Sequence, residues 1–124
     1  MKGRRDRGSA TAEIAVALPG LVLIMVAGLW GVMVASVQLA CTDAARSGAR
    51  AAARGESLAT VRTVVANAVP SGAEVQASRD AETAEVVVTV QVHAPGPSGL
   101  PPITVRARAT AATEPGALDV GPSG

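Results

Sequence analysis

Aromatic residues are almost absent from this chain of 124 residues. It contains no Phe and no Tyr, and Trp30 is its one aromatic residue. Aromatic side chains bury the largest areas in protein cores. A soluble core in this chain therefore has to come mainly from Ala and Val, which supply most of the 48% of residues that are hydrophobic.

Cysteine and histidine are equally scarce. Cys41 is the only cysteine and His93 the only histidine. One cysteine excludes an intrachain disulfide, and no Cys/His cluster is present to bind a metal. We also find no nucleophile–His–acid arrangement and no phosphate-binding loop. We therefore expect no catalytic residues, no metal, no cofactor and no small-molecule substrate, which means that the protein is not an enzyme.

Neither sign of charge dominates, since 11 Lys and Arg residues face 10 Asp and Glu residues. Such a balance gives no reason to expect a nucleic-acid partner. Four of the basic residues, however, lie in the first eight residues, MKGRRDRG. We interpret residues 1–8 as a basic leader.

One long segment carries no charge at all. Residues 14–42 are uncharged and mostly apolar, whereas a helix needs only about 20 apolar residues to cross a bilayer. No other part of the chain is large enough to bury a helix of this length. We predict one transmembrane helix over residues 9–42. The basic leader places the N-terminus in the cytoplasm and the C-terminal part outside the cytoplasmic membrane.

Residues 43–56 are rich in Ala and Arg, and we predict that they extend this helix into a stem that Gly55 ends. Arg46, Arg50 and Arg54 are four residues apart and therefore share one helix face. Two interpretations of this face remain open. The arginines either extend to lipid phosphates or contact neighbouring subunits.

The remaining sequence predicts a small α+β domain over residues 57–113. Ser57 is a suitable N-cap for a helix over residues 57–69, and Pro70 with Gly72 ends it. Alternating patterns predict strands at residues 74–78, 85–93 and 103–110. We expect the short helix to pack on an antiparallel sheet of about three strands. A domain of this size is marginally stable alone. Residues 114–124 are predicted to be a disordered tail.

The most informative residues are Gly-Ser-Ala-Thr-Ala-Glu at positions 8–13. Glu13 lies at the edge of a bilayer-length helix, where a charge is costly and usually functional. A capping box would place the acid three residues after a Ser or Thr, but Ser9 precedes Glu13 by four residues and Thr11 by two. The pattern instead resembles a type IV prepilin processing site, which has a basic leader, a glycine, four residues, a glutamate and an apolar helix.

This resemblance implies a specific cut and a specific role for the acid. In that family a membrane-embedded aspartyl prepilin peptidase cuts after the glycine, and the new N-terminus is often N-methylated. The corresponding cut lies between Gly8 and Ser9 and leaves Glu13 as the fifth residue. Its carboxylate would then pair with the terminal amine of a neighbouring subunit and set the register of a helix bundle.

Residues 8–19, GSATAEIAVALP, resemble more closely the start of the TadE-like proteins. These are minor pilins or pseudopilins of the tight-adherence (Flp) pilus system. The Ala/Arg-rich residues 44–54 match the same family. Ile14 differs from the aromatic residue that commonly follows the glutamate. The family implies a membrane anchor and, as partners, the prepilin peptidase, other pilins and the pilus assembly platform.

Pro19 also matches the family, in which a proline follows the glutamate shortly. Pro19 cannot donate a hydrogen bond to the carbonyl of Ala15, so we expect a bend or a loosened turn of the helix there.

Two other classes of protein remain as alternatives. Gln38-Leu39-Ala40-Cys41 weakly resembles the lipidation site of a lipoprotein, although the apolar segment is longer than the 7–15 residues of a signal-peptide core. A membrane-anchored extracytoplasmic binding domain unrelated to pili would also fit the pattern.

Overall fold

The computed structural model describes residues 2–96 and 99–115, with side chains from Gly8 onward. The elements are α1 (Lys2–Ala53), α2 (Leu58–Ala68), β1 (Glu74–Arg79), β2 (Thr83–Val92) and β3 (Ile103–Ala112). The predicted α+β architecture is confirmed, with a long apolar helix, a short helix and a three-stranded antiparallel sheet. The chain divides into two compact units, and the second begins at Val34.

The first unit is the N-terminal part of α1. The helix begins at Lys2, so the backbone of the basic leader is already helical. α1 is the one helix in the described residues that is long and apolar enough to cross a membrane, and none of its most apolar 18-residue window is buried. Large side chains such as Leu23 and Ile24 remain about 70% exposed. This surface needs lipid or other proteins to cover it.

The C-terminal end of α1 follows from a single glycine. Gly55 has a positive φ of 95°, a conformation that glycine adopts without steric cost. The amide of Gly55 donates to the carbonyl of Ala52 at 3.1 Å, and the amide of Glu56 donates to the carbonyl of Ala51 at 3.2 Å. This pair of hydrogen bonds is a Schellman motif. Gly55 therefore ends the helix as predicted.

The sheet has β2 at its centre, with β1 and β3 antiparallel on either side. The alternation that predicted β2 is reflected in its burial, since the side chains of Val86, Val88, Val90 and Val92 are all buried. Val87, which interrupts the polar face, is also buried. It lies between Gln76 and Arg108 on the neighbouring strands. Long polar side chains on both sides explain how a valine is covered on the outer face.

The core of the second unit lies between this sheet and the two helices. Val61 and Val65 of α2 are buried together with the valines of β2. α1 supplies a face of small side chains, all of them buried: Cys41, Ala44, Ala45, Ala49, Ala52 and Ala53. The residues that the sequence assigned to a helical stem therefore form one side of the core.

Gly48 allows the two helices to approach each other closely. A Cβ atom at this position would lie 2.5 Å from Cγ2 of Val65 and 3.3 Å from Cγ2 of Val86. The first distance is far below van der Waals contact, so either Val65 or the backbone of α1 would have to move. Ala44, Ser47 and Ala51 line the same shallow groove between α1 and α2.

We expect Gly48→Ala to destabilise the second unit despite the higher helix propensity of alanine. Alanine stabilises a helix interior by about 1 kcal/mol relative to glycine, but overpacking a core typically costs about 1–3 kcal/mol. Thermal unfolding followed by circular dichroism should show a lower midpoint. Ser47→Ala is the matched control, because Ser47 is exposed on the neighbouring position and should keep or raise the midpoint. Equal midpoints for both variants would contradict the close contact.

Asp80 fixes the turn between β1 and β2. One carboxylate oxygen, Oδ1, accepts hydrogen bonds from the backbone amides of Thr83 at 2.6 Å and Glu82 at 2.8 Å. These hydrogen bonds to the charged form lower the pKa of the Asp80 carboxyl group. At the same end of the sheet, just beyond β3, the amide of Glu114 donates to the carbonyl of Ala53 at 3.0 Å. Of the predicted tail, residues 116–124 lie outside the described residues.

Candidate functional site

The predicted processing site lies on the exposed N-terminal part of α1. Gly8, Ser9 and Glu13 are all helical and exposed. Ser9 and Glu13 are four residues apart and share a face. With Ala12, Val16 and Ala17 they line a shallow depression on the helix surface. The structure thus brings Ser9 and Glu13 together on a surface that is open to a second molecule.

Nothing inside the described chain explains why position 8 is a glycine. A Cβ atom at Gly8 would meet no other atom within 4 Å, and the helix needs no positive φ there. Glycine in a helix interior costs about 0.5–1 kcal/mol relative to alanine. Gly8 is therefore a weak point of α1, where the backbone can leave the helical conformation at low cost. A peptidase that binds an extended chain requires that freedom.

Glu13 has no partner among the described residues. No hydrogen bond or ion pair involves its carboxylate, and the side chain is exposed. An unpaired acid next to a bilayer-length apolar segment is costly unless a partner from another molecule neutralises it. Because α1 begins at Lys2, Glu13 lies about three turns inside the helix, and the helix dipole stabilises its charge little there. Among the described side chains, none binds Glu13.

Pro19 lies inside α1, and the helix continues on both sides of it. Because proline has no N–H, the carbonyl of Ala15 receives no hydrogen bond from position 19. The helical assignment is nevertheless unbroken from Lys2 to Ala53. The bend predicted at Pro19 stays a prediction.

The three arginines of the stem are exposed on the side of α1 that faces away from the core. They differ in their partners. Arg54 pairs with Glu56 at 3.2 Å. Arg46 and Arg50 form no ion pair or hydrogen bond with any described residue.

Arg79 holds the end of α1 against the sheet, a role that the sequence did not reveal. Its Nη1 atom donates to the carbonyl of Ala52 at 2.8 Å and to that of Glu56 at 2.9 Å. Cationic groups stabilise a helix C-terminus because the last carbonyls lack partners there. The sequence shows only an arginine at the end of a weakly alternating strand. Its contact lies 27 residues away along the chain, which no local pattern indicates.

Cys41, the residue of the lipoprotein alternative, is fully buried in the core of the second unit. Within the described part of the chain, no three His, Cys, Asp or Glu side chains come close enough to bind a metal ion. The only features of the described structure that resemble a functional site are thus the exposed N-terminal turns of α1 and the exposed arginines.

Comparisons with known proteins identify the family of this chain. The family described as TadE-like protein matches residues 8–50, a range that starts at Gly8 and ends in the stem. A Mycobacterium tuberculosis protein named as an apoptosis inhibitor is 41% identical over 110 residues, which cover 89% of this chain and 83% of that protein. No solved structure matches the chain. The chain therefore belongs to the TadE-like family of the tight-adherence pilus system.

Proposed function

We propose that the protein is a membrane-anchored minor pilin of a tight-adherence pilus. One observation carries this proposal. Gly8 and Glu13 lie near the start of a helix whose most apolar 18 residues have no buried surface, and that helix ends in a folded α+β unit. A pilin needs these parts in this order, because one segment is processed, one lies in the membrane or the filament, and one is displayed outside.

The dimensions of α1 support the membrane assignment. A helix rises 1.5 Å per residue, so about 20 residues cross a hydrocarbon core of about 30 Å. Counting 20 residues from Ile14 ends at Met33, and the compact second unit begins at Val34. The apolar exposed segment and the folded unit thus meet where a bilayer would end. The basic leader places the N-terminus in the cytoplasm by the positive-inside rule.

The unpaired Glu13 supports a role in assembly. After a cut between Gly8 and Ser9, α1 would begin with a free amine one helical turn from Glu13. The carboxylate of one subunit would bind the amine of its neighbour, since neither group has another partner in an apolar surrounding. The prepilin peptidase would make the cut, and other pilins and the assembly platform would be the subsequent partners.

We expect the chain from a host that has its own prepilin peptidase to start at Ser9. Intact-mass spectrometry of the membrane-extracted protein measures this directly, including an N-methyl group on the new terminus. Gly8→Val should leave the leader in place, because a β-branched side chain restricts the backbone that has to enter the protease. Gly3→Val, the same substitution elsewhere in the leader, is the matched control and should still be processed. A native chain that retains residues 2–7 would contradict the proposal.

A further inference from the structure

Four residues of α1 in the second unit form a separate exposed face. Leu39, Asp43, Arg46 and Arg50 are four, three and four residues apart, the spacing of a coiled-coil seam. All four are exposed, and Leu39 retains 63% of its accessible surface. The buried residues Cys41, Ala45 and Ala52 point to the opposite side of the same helix. We call these four residues the stem face.

The charges of the stem face have no partners inside the chain. Asp43, Arg46 and Arg50 make no ion pair or hydrogen bond with any described residue. Arg54, one turn farther on, already pairs with Glu56. An exposed leucine beside one free acid and two free bases is a surface of mixed sign that can be neutralised by another surface of mixed sign.

Lipid headgroups are too far from Arg46 and Arg50 to be that surface. The Nε2 atom of Gln38 donates to the carbonyl of Arg106 in β3 at 3.4 Å. An open sheet edge cannot lie in hydrocarbon, so the level of Gln38 is already outside it. Arg46 and Arg50 lie about 12 and 18 Å farther along the helix. The headgroup layer is only about 5–7 Å thick on each side.

We infer that the stem face binds a second copy of this chain, and that Asp43 of one copy pairs with Arg50 of the next. The inference rests on the proposed function in one respect, because both copies are taken to run parallel in a pilus-like assembly, in which each subunit is displaced along the axis from the next. Parallel helices in register would place each charge of the stem face opposite the same charge. A displacement by one heptad, about 10.5 Å, is close to two helical turns, so the stem faces of the two helices still point toward each other. It brings the carboxylate of Asp43 opposite the guanidinium of Arg50.

The same displacement matches the rest of the stem face. Leu39 of one copy then lies against Arg46 of the next, whose aliphatic stem covers apolar surface while its charge stays in water. A displacement by three residues is less favourable, since it pairs Asp43 with Arg46 but brings Arg46 close to Arg50. A displaced contact is heterologous, because the two copies use different residues. Repeated, it builds an open helical assembly rather than a closed dimer.

Disulfide crosslinking in whole cells of the native host tests this register. Two tagged full-length chains are co-expressed, one with Leu39→Cys and one with Arg46→Cys, both carrying Cys41→Ala. Oxidation with copper phenanthroline should join the Leu39→Cys chain to the Arg46→Cys chain. It should not join two Leu39→Cys chains at comparable yield. A dominant crosslink between two Leu39→Cys chains, or no crosslink at all, would overturn the inference.

Charge reversals test the ion pair itself through the yield of this crosslink. Asp43→Arg or Arg50→Glu in both tagged chains should lower the yield about fivefold, the upper range for an exposed ion pair. The double variant should restore it to within about twofold, since it re-forms the pair with the charges exchanged. Arg106→Glu is the matched control, because Arg106 is also exposed and has no ion pair. Equal losses in that control, or a double variant that fails to recover, would refute the pairing.

Processing is measured in the same cells by mass. A chain that starts at Ser9 but gives no crosslink removes the stem-face contact and leaves the pilin proposal standing. The opposite result, a chain that crosslinks as expected but keeps its leader, contradicts the proposed processing and leaves the stem-face contact standing.

Discussion

A fragment of residues 55–113 is expected to be unfolded, whereas a fragment of residues 34–115 is expected to fold. The shorter fragment contains α2 and all three strands but lacks the small buried residues of α1 that cover them. Val61, Val65, Val86 and Val88 are almost fully buried in the intact chain, and each buried valine contributes about 1.5–3 kcal/mol. Exposing even part of this surface removes an amount comparable with the total stability of a small domain, about 5–15 kcal/mol.

Circular dichroism and urea unfolding of the two fragments check this prediction. The longer fragment should unfold cooperatively, with a midpoint in the range of about 45–65 °C that is usual for mesophilic domains. The shorter one should show little tertiary structure and no cooperative transition. A cooperative transition of the 55–113 fragment would mean that α2 and the sheet have a sufficient core of their own and that α1 merely covers it.

The elements of the second unit could be predicted because each has a local signal. Ser57 accepts a hydrogen bond from the amide of Thr60 as the N-cap of α2, and the alternating valines of β2 are buried as expected. The strands are slightly longer than their patterns, since β2 begins at Thr83 and β3 ends at Ala112. The ladder continues there over Thr83 and Ala84, opposite Ala112 and Ala111. Alanine contributes little to an alternating pattern, which explains why the predicted strands are too short at these ends.

The role of α1 in the core could not be predicted. Small residues such as Ala, Gly and Cys give no strong apolar periodicity. They are compatible with a helix but do not show which of its faces is buried. Gly48 is such a case, because only the position of Val65 shows that a side chain is excluded there. The contact of Arg79 with the end of α1 is non-local in the same sense.

At the N-terminal site, by contrast, the sequence is more informative than the fold. Gly8 and Glu13 were predicted as a site from their spacing between a basic leader and an apolar helix, and the described residues make no contact with either that explains it. The proposed function accounts for this, because residues that bind other molecules keep a sequence pattern that the isolated chain does not explain. The stem face was recognised only in part, since its arginines were evident but the involvement of Asp43 and Leu39 required knowing which side of α1 faces the core.

Glu13→Gln is expected to abolish pilus assembly while leaving membrane insertion unchanged. The substitution keeps the size and hydrogen-bonding capacity of the side chain and removes only its charge. Insertion depends on the apolar residues after position 13, which are not altered. If Glu13 binds the amine of a neighbouring subunit in an apolar surrounding, losing one partner of that pair costs about 3–5 kcal/mol. A penalty of that size at each added subunit is enough to stop growth of a filament.

The test compares Glu13→Gln with Glu82→Gln, the same substitution at an exposed acid in the β1–β2 turn. Membrane fractionation should show both variants at the level of the native chain, and mass spectrometry should show whether each starts at Ser9. Pili on the cell surface, counted by electron microscopy, should be lost only in the Glu13 variant. Normal pili in a correctly processed Glu13→Gln strain would exclude the pairing. Loss of the chain from the membrane would show instead that Glu13 is needed for folding or insertion. Both of these steps come before assembly, so the absence of pili would then say nothing about the pairing.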